Sequence, residues 1–340
     1  MPSPLIPARP RRRVSACEEQ HILPLPSGRQ LAYAVNGPST SRTVVLFFSG
    51  LMSVGLAPHV PAPCRSLLRA RWIAPTPAGM GRSSTRPASL PYHVTLARDA
   101  TALLHHLYPS DDYDALYVAG GSYGTVMAQM LYGAPRTLFP AGDKMVGCLL
   151  LAGFSPFKHD LDHARALSWS TWLSVGPPSQ LPFQPLQRAF RAAISPKVRT
   201  VEGAAAFLRA TVLAGPAERE MLAAHVARLG ETEEGFVERL ARAAVASCEN
   251  WDGFMEVAEV LREDWGFAPG ELEGAAPLLV VASEGDKIGS ANSAWLAANY
   301  KNATARTIPG GHISSMFYMD EIWEEMISLA SKCTAVAEEE

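Results

Sequence analysis

Ala115-Leu116-Tyr117-Val118-Ala119-Gly120-Gly121-Ser122-Tyr123-Gly124 is the stretch on which the reading of this chain turns. Its first five residues are continuously apolar, as in a strand buried on both faces. Thr125 to Leu131 then reads as a helix. The chain between them must turn sharply from strand to helix, and the glycines around Ser122 give that turn room. Such a turn lifts the serine hydroxyl to the carboxyl edge of a sheet, at the N-terminus of the next helix. A G-x-S-x-G string alone is common. With a strand before it, a helix after it, and an acid and a histidine far downstream, it points to nucleophilic serine chemistry.

The same alternation extends outward in both directions. Ile22 to Leu25 and Leu31 to Val35 read as a hairpin turned at Pro26-Ser27-Gly28. Thr43 to Phe48 and Trp72 to Ala74 are short strands. Leu96, Ala100, Leu103, Leu104 and Leu107 have helical spacing, which predicts a helix over His93 to Tyr108. Beyond the serine, Met145 to Ala152, Pro277 to Ala282 and Ala305 to Ile308 read as strands. Ser290 to Tyr300 and a closing stretch, Ile313 to Ser331, read as helices. This order predicts an α/β fold with a mostly parallel sheet flanked by helices. From about 156 to 262 the alternation stops. Val201 to Leu213, Pro216 to Leu229 and Thr232 to Ser247 look helical, and Phe254, Val257, Ala258, Leu261 and Trp265 repeat at helical spacing. Pro177 to Pro185 reads as an irregular arm. The expected division is a flexible arm over 1–19, a core over 20–155 and 263–334, and an inserted all-helical cap over 156–262.

Composition narrows the function classes. Of 340 residues, 48% are hydrophobic and 19% charged, which is ordinary for a globular protein with a full core. A net charge of -3 and a pI near 6.3 argue against nucleic acid or an anionic membrane as the main partner. No apolar stretch reaches the roughly 20 residues of a membrane span. The cysteines (Cys17, Cys64, Cys148, Cys248 and Cys333) are scattered without a C-x-x-C pair, which fits reduced thiols and a cytoplasmic location. No apolar segment follows Arg9, Arg11, Arg12 and Arg13, so the N-terminus does not read as a secretory signal. Pro2, Pro4, Pro7 and Pro10 would break the amphipathic helix of a transit peptide, which favours a disordered arm.

Over about residues 20 to 333 the chain resembles the α/β-hydrolase superfamily. The likeness rests on Val44-Val45-Leu46-Phe47-Phe48-Ser49-Gly50, on Ile73-Ala74-Pro75-Thr76-Pro77-Ala78-Gly79-Met80-Gly81-Arg82-Ser83, and on the Ser122 turn. It continues through Trp265-Gly266-Phe267, Leu279-Val280-Val281-Ala282-Ser283-Glu284-Gly285-Asp286 and Pro309-Gly310-Gly311-His312. The order of these segments implies Ser122 as nucleophile, Asp286 as acid and His312 as base. Elementary chemistry asks for the same set. A serine hydroxyl is a weak nucleophile without a base in hydrogen-bond reach. An imidazole can take its proton and return it to a leaving group, and a carboxylate behind the ring fixes the tautomer. Glu284 competes with Asp286, but Asp286 matches the superfamily's position. The resemblance also implies an oxyanion hole built from the backbone N–H groups of Leu51 and Tyr123. Ser49-Gly50 replaces the superfamily's His-Gly, which removes the usual bracing of that loop by histidine. Thr76 stands near where the superfamily has an acid.

The remaining candidates are weaker. His159, Asp160, Asp162 and His163 have metal-like spacing but no third ligand in view, and read as a solvated loop at the entry to the cap. His105 and His106 read as structural. No glycine-rich phosphate loop is present, so neither a cofactor nor a metal is expected. Trp169 and Trp172 are candidates to bind substrate within the cap; Phe183, Trp251 and Phe254 are further aromatics of that lobe. The expected activity is hydrolysis of a carboxylic ester, thioester or lactone of a small to medium apolar molecule. Serine at the turn argues against the superfamily's epoxide hydrolases and haloalkane dehalogenases, which use aspartate there. Gly-Gly-Ser-x-Gly and the large helical segment also resemble the proline iminopeptidase branch, although its His-Gly-Gly-Pro loop is missing. The same residues are compatible with a ligand receptor on this fold and with an acyltransferase. The expected partner is a small-molecule substrate, and the oligomeric state is not legible.

Overall fold

In the central strands, successive residues face opposite cores. Val44, Leu46, Phe48, Leu116, Val118, Cys148, Leu150, Leu278 and Val280 belong to one buried cluster. Their neighbours Val45, Tyr117, Ala119, Leu149, Leu151, Leu279 and Val281 belong to another. This is why the strands read as unbroken apolar runs: both faces of the sheet are covered. The computed structural model describes residues 21–339 except 27, 58, 273–275 and 289. The expected arm over 1–19 and Cys17 lie outside the described residues.

The elements in chain order are β1 (His21–Pro24), β2 (Gln30–Asn36), β3 (Thr43–Phe48), α1 (Ala62–Ser66), β4 (Arg71–Pro75), α2 (Tyr92–Leu107), β5 (Ala115–Gly121), α3 (Gly124–Tyr132) and β6 (Met145–Leu151). Next come α4 (His163–Ala166), α5 (Trp169–Val175), α6 (Pro185–Ile194), α7 (Val201–Thr211), α8 (Pro216–Leu229), α9 (Glu233–Ser247) and α10 (Asp252–Arg262). The chain closes with β7 (Leu278–Ser283), α11 (Ser290–Asn299), β8 (Ala303–Ile308) and α12 (Met319–Glu339). The sheet order is β1-β2-β4-β3-β5-β6-β7-β8. β1, β2 and β4 pair antiparallel, and every pair from β4 to β8 is parallel. α2, α3 and α11 cover the first cluster through Leu96, Leu103, Val126, Leu131 and Leu296. α1 and α12 cover the second through Cys64, Ile322, Trp323 and Met326. No helix among the described residues is long and apolar enough to cross a membrane.

The strand order places the site. β4 lies on one side of β3 and β5 on the other, so the chain reverses its direction of travel across the sheet at β3 and β5. The loops that leave adjacent strands at such a reversal diverge and open a crevice at the carboxyl edge. Phe48, the last residue of β3, pairs with Gly120, two residues before Ser122. The sheet register therefore brings the loop after β3 alongside the serine turn.

The helices from α4 to α10 all lie between β6 and β7. α10 differs from α7, α8 and α9, because its Val257, Ala258, Val260 and Leu261 share the first core cluster with α2 and α3. α10 is also tied to the loop after β4. Gly253 N–H donates to the Gly79 carbonyl at 2.7 Å, and Arg86 pairs with Glu256, Glu259 and Glu263 at 2.9, 2.6 and 2.9 Å.

Two expectations need correction. The stretch 177–185 is no irregular arm: Pro177–Gln180 is a 3-10 turn and Pro185 opens α6. Proline breaks a helix interior but suits the first helical position, where its missing N–H costs nothing. The closing helix expected over Ile313 to Ser331 is in two parts, a 3-10 turn Ser314–Tyr318 and then α12.

Candidate active site

Ser122 has a φ of 52°, in the left-handed region that costs an L-residue about 1–2 kcal/mol. The surroundings impose this conformation. A Cβ at Gly120 would collide with the Gly124 carbonyl, and one at Gly124 with the Phe48 carbonyl. Gly121 has open space beside it, so the two motif glycines are required by packing and the third is not. The turn is then pinned by hydrogen bonds. Ser122 N–H donates to the Leu151 carbonyl at 2.8 Å. The Thr125 hydroxyl donates to the Ser122 carbonyl at 2.6 Å and accepts from Phe154 N–H at 3.1 Å. Behind it the buried Gln129 amide donates to the Phe154 carbonyl at 2.8 Å and accepts from the Tyr300 hydroxyl at 3.0 Å.

Asp286 and His312 reach the same edge from the loops after β7 and β8. Gly285 N–H donates to the Gly310 carbonyl at 2.8 Å, which fastens these two loops together. His312 Nδ1 lies 3.0 Å from each carboxylate oxygen of Asp286, and His312 Nε2 lies 2.8 Å from Ser122 Oγ. With Nδ1–H donating to the carboxylate, Nε2 is left to accept the serine O–H. The Asp286 carboxylate is fully buried and accepts Ile288 N–H at 2.8 Å, while the imidazole stays 16% exposed. The competitor Glu284 is exposed to solvent.

The loop after β3 lies against the serine. A Cβ on Gly50 would sit 3.0 Å from Ser122 Cβ and 3.6 Å from Ser122 Oγ, so a larger residue would push the serine by a few tenths of an ångström. Among the described residues neither Leu51 N–H nor Tyr123 N–H has an acceptor, which leaves both for a ligand. The Tyr123 ring is buried, and burial pushes its phenol well above the usual value, so the ring offers no acid here.

Two residues to which the sequence reading gave no role hold this loop. The Thr76 hydroxyl, wholly buried, accepts Gly55 N–H at 2.8 Å. The Ser83 hydroxyl donates to the Thr76 carbonyl at 2.7 Å and accepts Ala32 N–H at 3.0 Å. Thr76 thus braces the loop from the side where the superfamily has an acid. Met52, with a left-handed φ of 60°, packs against a cluster of the inserted helices that includes Val198, Ala204, Ala241 and Trp251. No pattern in one sequence announces such a contact.

The other sequence candidates fall elsewhere. Trp172 is half-buried, and Trp169 is 75% exposed with its ring 5.0 Å from that of Trp172. Trp251 and Phe254 pack together in the cluster that contains Met52. The segment His159 to His163 is a loop that is only partly solvated, with Leu161 and Asp162 exposed. Asp160 is buried and bonded to the Ser155 hydroxyl at 2.6 Å, and the His163 ring stacks on Phe157 at 3.8 Å. Among the described residues no cluster of His, Cys, Asp and Glu could hold a metal ion. From α8, Glu218 and Met221 press on Gly311 and Gly310, the glycines before His312, where any Cβ would collide with them.

A strained serine between two glycines, a histidine on its hydroxyl and a buried acid behind that histidine, at the carboxyl edge of a parallel sheet, agree with the family comparison. The model of the alpha/beta hydrolase family matches residues 45–325, and the chain belongs to that family. Solved structures agree on the fold. A hydrolase from Pseudomonas aeruginosa is 20% identical with a TM-score of 0.57, over 91% of this chain and 97% of that one. An enol-lactonase from Burkholderia xenovorans is 15% identical with a TM-score of 0.55, over 92% and 100%. An esterase from a Rhodococcus species is 15% identical with a TM-score of 0.53, over 92% and 99%. At these identities the likeness concerns the fold. No curated protein sequence matches the chain significantly.

Proposed function

We propose that this chain is a serine hydrolase of carboxylic esters, thioesters or lactones that works through an acyl-enzyme. The observation that carries the reading is the line from Asp286 through His312 to Ser122, with gaps of 3.0 and 2.8 Å, on a turn strained to hold it. Ser122 Oγ attacks the carbonyl carbon as its proton passes to His312 Nε2. The negative charge that develops on the carbonyl oxygen is met by Leu51 N–H and Tyr123 N–H. The intermediate collapses, Nε2 gives its proton to the departing alcohol or thiol, and the acyl group stays on Ser122. Water repeats the sequence, releases the acid and restores the serine. Asp286 keeps Nδ1 protonated and steadies the imidazolium throughout. The helices over 156–262 form a cap in this reading: Glu218, Met221 and Met52 mark where they meet the loops of the site.

The test is a series of 4-nitrophenyl esters and lactones with a fluorophosphonate probe. Turnover with labelling of Ser122 is expected, and Ser122→Ala should lose about 10⁶-fold in kcat while keeping its circular dichroism. An alanine variant as active as the parent would refute the assignment. The Glu218 carboxylate at the glycines before His312 favours a second reading, an aminopeptidase whose substrate ammonium meets that charge. Faster turnover of an aminoacyl 4-nitroanilide than of every ester would put this reading first.

A further inference from the structure

We propose that the edge of the inserted helices formed by residues 169–199 docks on an anionic lipid surface. The chain as a whole is acidic, but its charge is unevenly spread. Residues 163–201 contain no Asp or Glu and carry Arg165, Arg188, Arg191, Lys197 and Arg199. Among the described residues no carboxylate pairs with Arg188, Arg191, Lys197 or Arg199. Arg191 and Lys197 lie over the rings of Trp251 and Phe207 at 5.7 and 5.5 Å, which leaves their charge uncancelled.

The same stretch displays apolar side chains. Trp169, Leu181 and Phe183 are 75%, 52% and 86% exposed, three of the six large hydrophobics that the described residues expose. Such clustering is unusual for a surface that meets only water. The stretch is also continuous: α5 packs on the 177–180 turn and on α6, and α6 packs on the 195–198 turn. Left-handed backbone at Phe183 and Gln184, with φ of 65° and 53°, separates that first turn from α6 and leaves Leu181, Pro182 and Phe183 together at the surface.

Protruding aromatic and aliphatic tips beside unpaired cations match a lipid interface. The tips enter the boundary between headgroups and acyl chains, and the cations meet phosphates. An acidic protein would satisfy the cations but gives no reason for the tips. A second copy of this chain would cover the tips but would set cation against cation.

Co-sedimentation of the full chain with phosphatidylcholine vesicles, with and without phosphatidylglycerol, tests this. Binding is expected only to the anionic vesicles, reduced by salt, with a blue shift of tryptophan emission that Trp169→Phe removes. Each cation near an anionic surface is worth about fivefold in partitioning, so Arg188→Glu with Arg199→Glu should cost at least about 25-fold. Leu181→Ser with Phe183→Ser should cost about tenfold or more. Both double variants should bind the fluorophosphonate probe like the parent, which shows that they fold. No binding to anionic vesicles, equal binding to neutral ones, or binding that both double variants retain would overturn the proposal. Self-association abolished by the serine pair, without vesicle binding, would assign the face to a second copy instead.

Discussion

The carboxyl edge of the sheet and the inserted helices hold their side chains by different means. At the edge, Ser122, Asp286 and His312 are set by backbone: a left-handed turn, strand ends in register, and N–H groups donating to Leu151, Gly310 and the Asp286 carboxylate. In the helices, Trp169, Trp172, Met221 and Glu218 are set by side-chain packing, and some of them face solvent. Backbone geometry tolerates few alternatives, so chemistry placed there keeps its form. Side-chain packing on helices admits many, so selectivity placed there can change while the chemistry stays. The contrast teaches where each kind of variant should act.

The largest effect should come at the edge. His312→Ala should lower kcat by about 10⁶-fold, as triad members act as a unit. Asp286→Asn should cost about 10⁴-fold through the wrong tautomer, with Glu284→Gln silent. Steady-state kinetics on one ester checks all three, and damage confined to Glu284→Gln would move the acid. The contrast between regions is sharpened by Met221→Ala, at the helix residue that meets the glycines before His312. Its kcat/KM ratios between long and short acyl esters should move by about 10–200-fold, the worth of a methylene-sized fit. If Met221→Ala instead scales every ester equally, the helices act on the chemistry itself and the contrast fails. The smallest effect belongs to the brace between the regions. Thr76→Val leaves Gly55 N–H buried without an acceptor, at a cost of about 1–3 kcal/mol. It should lower kcat about tenfold with little change in KM, because the loop bears Leu51, the proposed oxyanion donor; a change in KM alone would place Thr76 in substrate binding.

Sequence reading did well where periodicity and glycine carry the information. The run before Ser122 announced β5, and the flanking glycines announced a turn that packing against the Gly124 and Phe48 carbonyls requires. Asp286 and His312 were legible because the resemblance to the hydrolase superfamily marked their positions, and because each follows a strand, which puts both at one edge. α6 was missed because Pro185 reads as a breaker when it sits at a helix start. The Thr76 brace was missed because a threonine to backbone bond across 21 residues leaves no local pattern. The solvated loop expected from His159 to His163 holds for Leu161 and Asp162 but not for Asp160, which polarity suggests is exposed and which is buried against Ser155. The net charge of -3 concealed an acid-free stretch of 39 residues, 163–201, because an average over the chain carries no address.

The left-handed backbone of Ser122 bears on how this protein can change. Glycine at 122 would relieve about 1–2 kcal/mol of strain and abolish the hydroxyl. Stability and catalysis therefore pull this one position in opposite directions. A lineage that stopped needing the hydroxyl would drift downhill to glycine and find no equal slope back. In the proposed reading, the serine that stands there is held by its chemistry against a standing thermodynamic incentive to leave.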